Sequence, residues 1–437
     1  MTKAASPFPD IARLAVRFPH GIARNADILF GMSVLISGIG IGGPTLAYWL
    51  SVYGIKSTLV ERAPQLRTGG YALDFWGLGF DVAERMGILP ELRRDGYNIK
   101  ELRIVNEQGR RVGGFNVDSL RKAARGRYVT IARSDLARNI YRKIEGNCET
   151  IFGDSITGIE QHPDGVEVTF EHAPPRQFDL VIGADGLHSV VRKLTFGSED
   201  QFEEFLGYSV AAFEVAAYPQ RDEDIYMNYS VPGKQVGRLT LRNDRTLFLF
   251  VFADERGHLT DLHDIAAKKE ALRSHFGGLG WECPQILAAM DSCAELYFDP
   301  VSQIRMQSWS KGRVGLVGDA AFCPSLLAGQ GSALAMVAAY VLAGELAAIG
   351  RSPEEALQRY EKRLHAFMLG KQEAAKKFAG SFTPKTRWGL FLRNQVTRAF
   401  AIPFLLEWVM GNSLLDRLEL PDYAATARQP TRDHVEA

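Results

Sequence analysis

At 437 residues the chain is too long for one small core, and about 150 residues per domain puts it at two or three domains. Its 46% hydrophobic and 23% charged residues are those of an ordinary soluble globular protein, while 42 glycines exceed the usual share and point to tight turns or phosphate-cradling loops. Lysine plus arginine equals aspartate plus glutamate at 51 each, so no net field draws the protein to nucleic acid or an anionic membrane.

Residues 1–31 lack the apolar stretch and cleavage site of a secretory signal and read as an N-terminal extension, disordered and without chemistry. Ser33 to Ser37 holds Val34-Leu35-Ile36, a continuously apolar strand of the kind buried on both faces of a parallel sheet. A glycine-rich turn follows, then a helical pattern from Pro44 to Tyr53 with Leu46, Trp49 and Leu50 on one side, then a second strand, Lys56 to Glu61. This is a βαβ unit. Two more buried-strand patterns, Leu180-Val181-Ile182 and Val314-Gly315-Leu316-Val317, each end in glycine and a short acidic motif. Strands from such distant positions in one sheet make the first domain discontinuous, residues 32–203 plus 309–378.

Between 204 and 308 the texture changes to alternation over Ser209–Ala217, Ile225–Tyr229, Gln235–Leu241, Arg245–Ala253 and Glu295–Trp309. It predicts a second, mostly antiparallel sheet with one covered face, interrupted by helices near Asp264–His275 and Pro284–Cys293. Gly331 to Gly344 carries no charge; 14 residues suit a buried core helix, where a membrane span needs about 20. Pro353 opens a helix towards about Phe378, and Pro384 precedes another that Pro403 breaks or kinks, so 379–423 forms C-terminal helices. Residues 424–437 are a polar, frayed tail.

Chemistry concentrates in three turns. Gly38-Ile39-Gly40-Ile41-Gly42-Gly43 is a GxGxxG between strand and helix: Gly38 permits the turn, Gly40 lets backbone approach a pyrophosphate, and Gly43 lets helix pack on strand. Eighteen residues past Gly43, Glu61 ends the second strand, where a carboxylate accepts from ribose hydroxyls and repels a 2′-phosphate. The resident nucleotide is therefore expected to be FAD or NAD and not NADP. The second turn, Gly183-Ala184-Asp185-Gly186-Leu187-His188-Ser189 with Arg192 after it, is by itself as often an ordinary turn. His188 reads as a helix-capping or surface residue and not a base. In the third, Asp319 of Gly318-Asp319-Ala320-Ala321-Phe322-Cys323-Pro324 can hold a ribityl hydroxyl. The helix after Leu327-Ala328-Gly329-Gln330-Gly331 can turn its amides to a flavin's N1–C2=O region.

These motifs, in this order and spacing over roughly residues 33–378, resemble the group A flavoprotein monooxygenases, the para-hydroxybenzoate hydroxylase family. The resemblance implies an α/β architecture: a discontinuous Rossmann-like FAD-binding domain, an inserted mostly antiparallel β-sheet substrate domain and C-terminal helices. It assigns tightly bound, non-covalent FAD to Gly38, Gly40, Gly43, Glu61, Arg62, Asp185, Asp319, Gly329 and Gly331, with Asp185 contributing to NAD(P)H binding as well. Within the family, Gly69-Gly70-Tyr71-Ala72-Leu73-Asp74, Arg133-Ser134-Asp135-Leu136 and the long third motif are most similar to the tetracycline-inactivating, polyketide-oxidising branch. That similarity adds Asp74 and Arg133 as FAD contacts and Arg67 as an NADPH contact. Read without it, Asp74 could cap a helix, Arg133 could begin a surface helix and Arg67 could be solvated. Phe322 departs from the family, many members of which carry histidine there. The C-terminal helices resemble one that bridges the two domains and borders the substrate entrance, or serve as scaffold.

The resemblance implies hydroxylation of an aromatic or polyketide-like molecule, tetracycline-type rings among the candidates, by a C4a-hydroperoxyflavin. With no second GxGxxG on a strand–turn–helix, NADPH or NADH is expected to bind transiently over the FAD. The substrate pocket is expected between flavin and sheet, lined by Tyr71, Phe75, Tyr226, Met227 and Phe322. No metal is expected, since no Ser-His-Asp, HExxH or metal-spaced histidine pattern competes. Cys148, Cys283, Cys293 and Cys323 lack zinc spacing and read as reduced thiols of a cytoplasmic monomer or homodimer. Rival readings are a FAD-dependent reductase or dehydrogenase, and a flavin-containing protein that sequesters a ligand without turnover.

Overall fold

Val34, Leu35 and Ile36 are completely buried because their strand, Ser33–Ser37, has parallel neighbours on both sides, Lys56–Glu61 and Leu180–Gly183. The computed structural model describes residues 31–67, 71–254, 264–293, 295–349, 352–400, 416 and 418–423. The expected extension, apart from residue 31, the Gly69-Gly70 pair, Pro403 and the tail 424–437 lie outside the described residues.

The first sheet has six strands in the order Ser310–Lys311, Val314–Leu316, Leu180–Gly183, Ser33–Ser37, Lys56–Glu61 and Glu149–Phe152. All pairs are parallel except the short Ser310–Lys311 hairpin at one edge. A three-stranded antiparallel sheet, Ile156–His162, Gly165–Phe170 and Arg176–Phe178, leads into its strand Leu180–Gly183. Helices Gly42–Val52 and Gly331–Ile349 pack against each other, with the Trp49 ring 4.8 Å from Tyr340.

The Gly331 helix runs 19 residues, past the expected stop at Glu345, because that carboxylate is neutralised where it lies. It accepts from Tyr423 Oη at 2.7 Å and pairs with Arg363 at 3.0 Å. By length and composition this helix could cross a membrane, yet 78% of its apolar window is buried inside the protein. Its apolarity is used in packing.

The second sheet has seven strands, in the order Tyr297–Ile304, Glu203–Ala216, Arg245–Ala253, Lys234–Thr240, Ile225–Val231, Glu101–Val105 and Arg111–Asn116. Two of them come from before residue 204. The hairpin 101–116 joins through the parallel pairing of Ile225–Val231 with Glu101–Val105, and the Lys100 amide anchors it by donating to Asp224 O at 2.7 Å.

One face of this sheet carries Phe213, Met227, Tyr229, Phe248, Phe250 and Phe252 into a core closed by helices Ile265–Phe276 and Cys283–Ala289. The other face, with Ala212, Leu239, Leu247, Tyr226 and Tyr297, looks toward the strand pair Ala72–Trp76 and Tyr128–Ala132. The helix Arg387–Ala399 docks on the sheet's edge, where Thr397 Oγ1 accepts from the Gly114 amide at 3.2 Å and Arg393 donates to Ser230 at 3.1 Å. Asp416 and Tyr423 then rest on the first domain, accepting from the Leu78 amide and donating to Glu345 respectively.

Candidate functional site

The three glycine-and-acid turns meet at one edge of the parallel sheet. Because their strands are adjacent and parallel, Gly38, Asp185 and Asp319 all follow the same carboxyl edge, with Glu61 ending the neighbouring strand. Open α/β sheets bind nucleotides in the crevice outside that edge.

Gly38 has φ of 103°, and a Cβ there would lie 2.5 Å from the Ala184 carbonyl oxygen. At Gly43 a Cβ would lie 2.0 Å from the Gly38 carbonyl, so only glycine lets the helix close on the loop. Gly40 differs: its φ is not left-handed, and a Cβ would meet only the Arg133 guanidinium at 3.5 Å. The protein leaves this room unfilled. The helix that follows has no side-chain cap at Ile41 and no acid in its first turn, so its leading amides and dipole remain available to an anion.

Glu61 braces the loop, accepting from the amides of Ile39 at 2.9 Å and Ala63 at 3.0 Å, with Arg67 at 3.8 Å. Arg62 and Arg67 are exposed. Asp185 is turned inward: it accepts from Ser189 Oγ at 2.5 Å and the Val190 amide at 2.9 Å, and burial raises its pKa. Fully buried Arg192 donates to Leu187 O at 2.6 Å, Ala320 O at 3.1 Å and Glu199 at 2.6 Å, stitching the second motif to the third.

Asp319 lies against the start of the Gly331 helix, where a Cβ on Gly331 would sit 3.3 Å from its Oδ1. That oxygen is buried and, among the described residues, has no hydrogen-bond partner. Leaving such a group unsatisfied costs about 1–3 kcal/mol, so a donor from outside the chain, such as a ribityl hydroxyl, fits it. Burial raises the Asp319 pKa and Arg133 opposes the shift. Beside it Gly329 turns through a φ of 64° with nothing within 4 Å of an added Cβ. The uncapped helix, the open Gly40 and the unpartnered oxygen together fit a flavin dinucleotide.

Facing these strand ends is an aromatic wall of Tyr71, Trp76, Tyr226 and Tyr297. The Tyr71 and Tyr297 rings are 5.8 Å apart, and Tyr226 Oη lies over Gly237, 2.0 Å from where a Cβ would be. Asp74 projects from the same side, its Oδ1 accepting from Tyr128 at 2.6 Å and Thr130 at 2.7 Å. Burial raises the pKa of Asp74, Tyr226 and Tyr297 and pushes Tyr71 up to about 12. Yet none of the four is closed to solvent. Groups desolvated by their surroundings yet still reached by solvent line an open hollow in front of this wall.

Three expected lining residues lie elsewhere. Met227 follows Tyr226 on one strand and therefore points to the opposite face, 7% exposed within the phenylalanine core. Phe75 likewise alternates with Asp74 and packs 6.4 Å from Phe80 in the nucleotide domain. Phe322 is buried 4.8 Å from Trp309. Conversely, Tyr297 and Asp299 belong to the site although nothing marked them beyond sharing one face of a predicted strand. His188 is a surface residue, as one of its two readings had it, and not the cap, which is Ser189; its ring also bridges Glu199 and Asp299 at 2.8 Å each.

The FAD binding domain family matches residues 31–371. An uncharacterised protein of Mycobacterium tuberculosis is 38% identical over 347 residues, 77% of this chain and 90% of its own length. A flavin-dependent monooxygenase of Legionella longbeachae is 34% identical over 363 residues, 81% of this chain and 90% of that protein. Among solved structures, tetracycline destructase Tet(51) shares 30% identity at a TM-score of 0.76 over 90% of this chain and 100% of the other. These matches run through the strand ends whose Gly40 space and Asp319 oxygen the protein itself leaves unfilled, and the chain belongs to the FAD binding domain family, as an FAD-dependent monooxygenase.

Proposed function

We propose that the enzyme consumes NADPH or NADH and dioxygen to hydroxylate an aromatic or polyketide-like small molecule, with tetracycline-type rings among the candidates. The observation that carries this reading is the open tyrosine wall opposite the strand-end turns, a space with flat apolar faces and hydroxyl groups for an electron-rich ring. The likeness to a tetracycline destructase supports the choice of ring system.

In this reading Gly38, Gly40, Gly43 and the uncapped helix take the diphosphate of FAD, and Glu61 with Arg62 takes its adenosine side. Asp319, Gly329 and Gly331 take the ribityl and pyrimidine side, with Arg133 and Asp74 flanking. Asp185 acts indirectly, through the loop it shapes. Exposed Arg67 is the candidate contact for the transient nicotinamide nucleotide. Bound FAD supplies the redox chemistry, passing electrons from the nicotinamide to dioxygen so that one oxygen atom enters the substrate and the other leaves as water. The protein's part is to hold the ring in place and keep bulk water out of the hollow.

The test is NADPH- or NADH-driven oxygen uptake with and without tetracycline or a simple phenol, with mass detection of one added oxygen atom. Ligand-stimulated uptake with an oxygenated product supports the proposal. Oxidation of the nicotinamide without oxygen uptake would indicate a reductase or dehydrogenase, and a flavin that stays oxidised with both present would indicate a sequestering protein.

A further inference from the structure

We propose that Tyr297 determines specificity by offering the hollow a hydrogen-bond acceptor for a ligand hydroxyl, and that Asp299 and His188 are positioning residues that fix it in this role. The inference rests on the reading of the hollow as a substrate site.

His188 lies between two carboxylates, with Nδ1 2.8 Å from Glu199 Oε1 and Nε2 2.8 Å from Asp299 Oδ1. Ionised carboxylates only accept, so both ring nitrogens carry hydrogen and the ring is an imidazolium. The two partners push its pKa up to about 10, so the charge persists at neutral pH. His188 is therefore a fixed cation and not a proton shuttle. With Oδ1 of Asp299 occupied by the imidazolium, Oδ2 is left to accept from Tyr297 Oη at 3.1 Å.

Tyr297 has one hydroxyl hydrogen, and Asp299 takes it. Burial holds the phenol far above its ordinary pKa, so the hydrogen stays on the oxygen. What remains toward the hollow is a lone pair, which accepts but cannot donate. Tyr71 and Tyr226 stand on the same wall with no hydrogen bond to their hydroxyls among the described residues, so either can donate or accept. Tyr297 alone of the three is set to one role. The setting is anchored far away: Glu199 is held by buried Arg192, which also donates to Ala320 O beside Asp319. A ligand ring bearing a phenolic or enolic hydroxyl satisfies this acceptor, whereas its methyl ether brings no donor and buries the lone pair unpaired.

The experiment titrates the FAD-loaded protein with matched probes, 2-naphthol against 2-methoxynaphthalene and tetracycline against an O-methylated tetracycline, and reads the perturbation of flavin absorbance. Wild type is expected to bind a hydroxyl probe about tenfold tighter than its ether. Tyr297→Phe should bring that ratio to within about twofold at unchanged flavin content. Asp299→Ala should lower it partway, because the tyrosyl hydrogen loses its acceptor and can turn into the hollow, and His188→Gln should lower it less, because the Asp299 carboxylate still accepts but is no longer held in place. A ratio that survives Tyr297→Phe overturns the proposal. Should that variant fail to load flavin, His188→Gln decides: thermal stability lost with the ratio intact means a purely structural bridge, which also overturns it. If no probe perturbs the wild-type flavin, the substrate reading of the hollow fails and takes the proposal with it, an outcome distinct from an unchanged ratio.

Discussion

Alanine at position 40 asks whether the first glycine turn is shaped by the protein or by its ligand. Gly40 has no left-handed φ, and the nearest protein atom to an added Cβ is the Arg133 guanidinium at an ordinary 3.5 Å. The apoprotein should therefore accept the methyl group and gain up to about 0.4–1 kcal/mol from a stiffer unfolded chain. A diphosphate drawn to the uncapped helix would meet that methyl. Losing one charge-assisted hydrogen bond costs roughly 1.5–3 kcal/mol, which weakens FAD binding about ten- to hundredfold. Gly43→Ala is the control, because its Cβ would lie 2.0 Å from the Gly38 carbonyl; overpacking there should cost the apoprotein about 1–3 kcal/mol or more. The assay is fluorescence titration of deflavinated protein with FAD beside urea unfolding of the same samples. Equal destabilisation of the two apoproteins, or wild-type FAD affinity in Gly40→Ala, would refute the reasoning.

Asp319→Asn should weaken FAD binding while stabilising the apoprotein. Burial raises the folded carboxyl above its ordinary 3.8, so the ionised form penalises the folded state; the penalty shrinks as pH falls through the raised value and is absent below 3.8. Urea midpoints of the apoproteins across this range should show the asparagine advantage growing with pH, and a pH-independent difference would contradict it. His188→Gln tests the opposite sign: the folded pKa near 10 gives wild type an advantage that is full below 6.5 and lost as pH rises through 10. Discounted for a half-exposed ring, it should amount to about 1 kcal/mol near neutrality, read from unfolding curves at neutral and alkaline pH. Met227→Ala should cost about 2–5 kcal/mol in thermal or urea unfolding, with flavin content and ligand affinity unchanged; altered ligand affinity would place Met227 on the wrong face of its sheet.

The nucleotide half was legible because its signals are local. Continuous apolar strands, each ending in glycine and acid, need no knowledge of partners, and Leu180–Gly183 takes its place beside Ser33–Ser37 with Val314–Leu316 on its far side, all in one sheet as expected. The substrate half was harder, because strand periodicity fixes which residues share a face but not which face meets the ligand. Tyr226 and Met227 were expected together although alternation forbids it, and the same parity separates Asp74 from Phe75. The hairpin at 101–116 joined the second sheet through a parallel pairing with residues more than a hundred positions later, which no local pattern announces. His188 looked ordinary because its two carboxylate partners come from separate stretches of chain.

The order of strands in the first sheet also governs how the polypeptide is made. Ser33–Ser37 finds one flank only when Leu180–Gly183 emerges, and that strand in turn waits for Val314–Leu316. During synthesis a strand with a wholly apolar centre, Val34-Leu35-Ile36, therefore stands with an unpaired edge, the kind that recruits neighbouring chains, and such distant parallel pairing is slow to form. Cellular yield should accordingly be limited by chaperone protection of the nascent chain more than by vitamin supply.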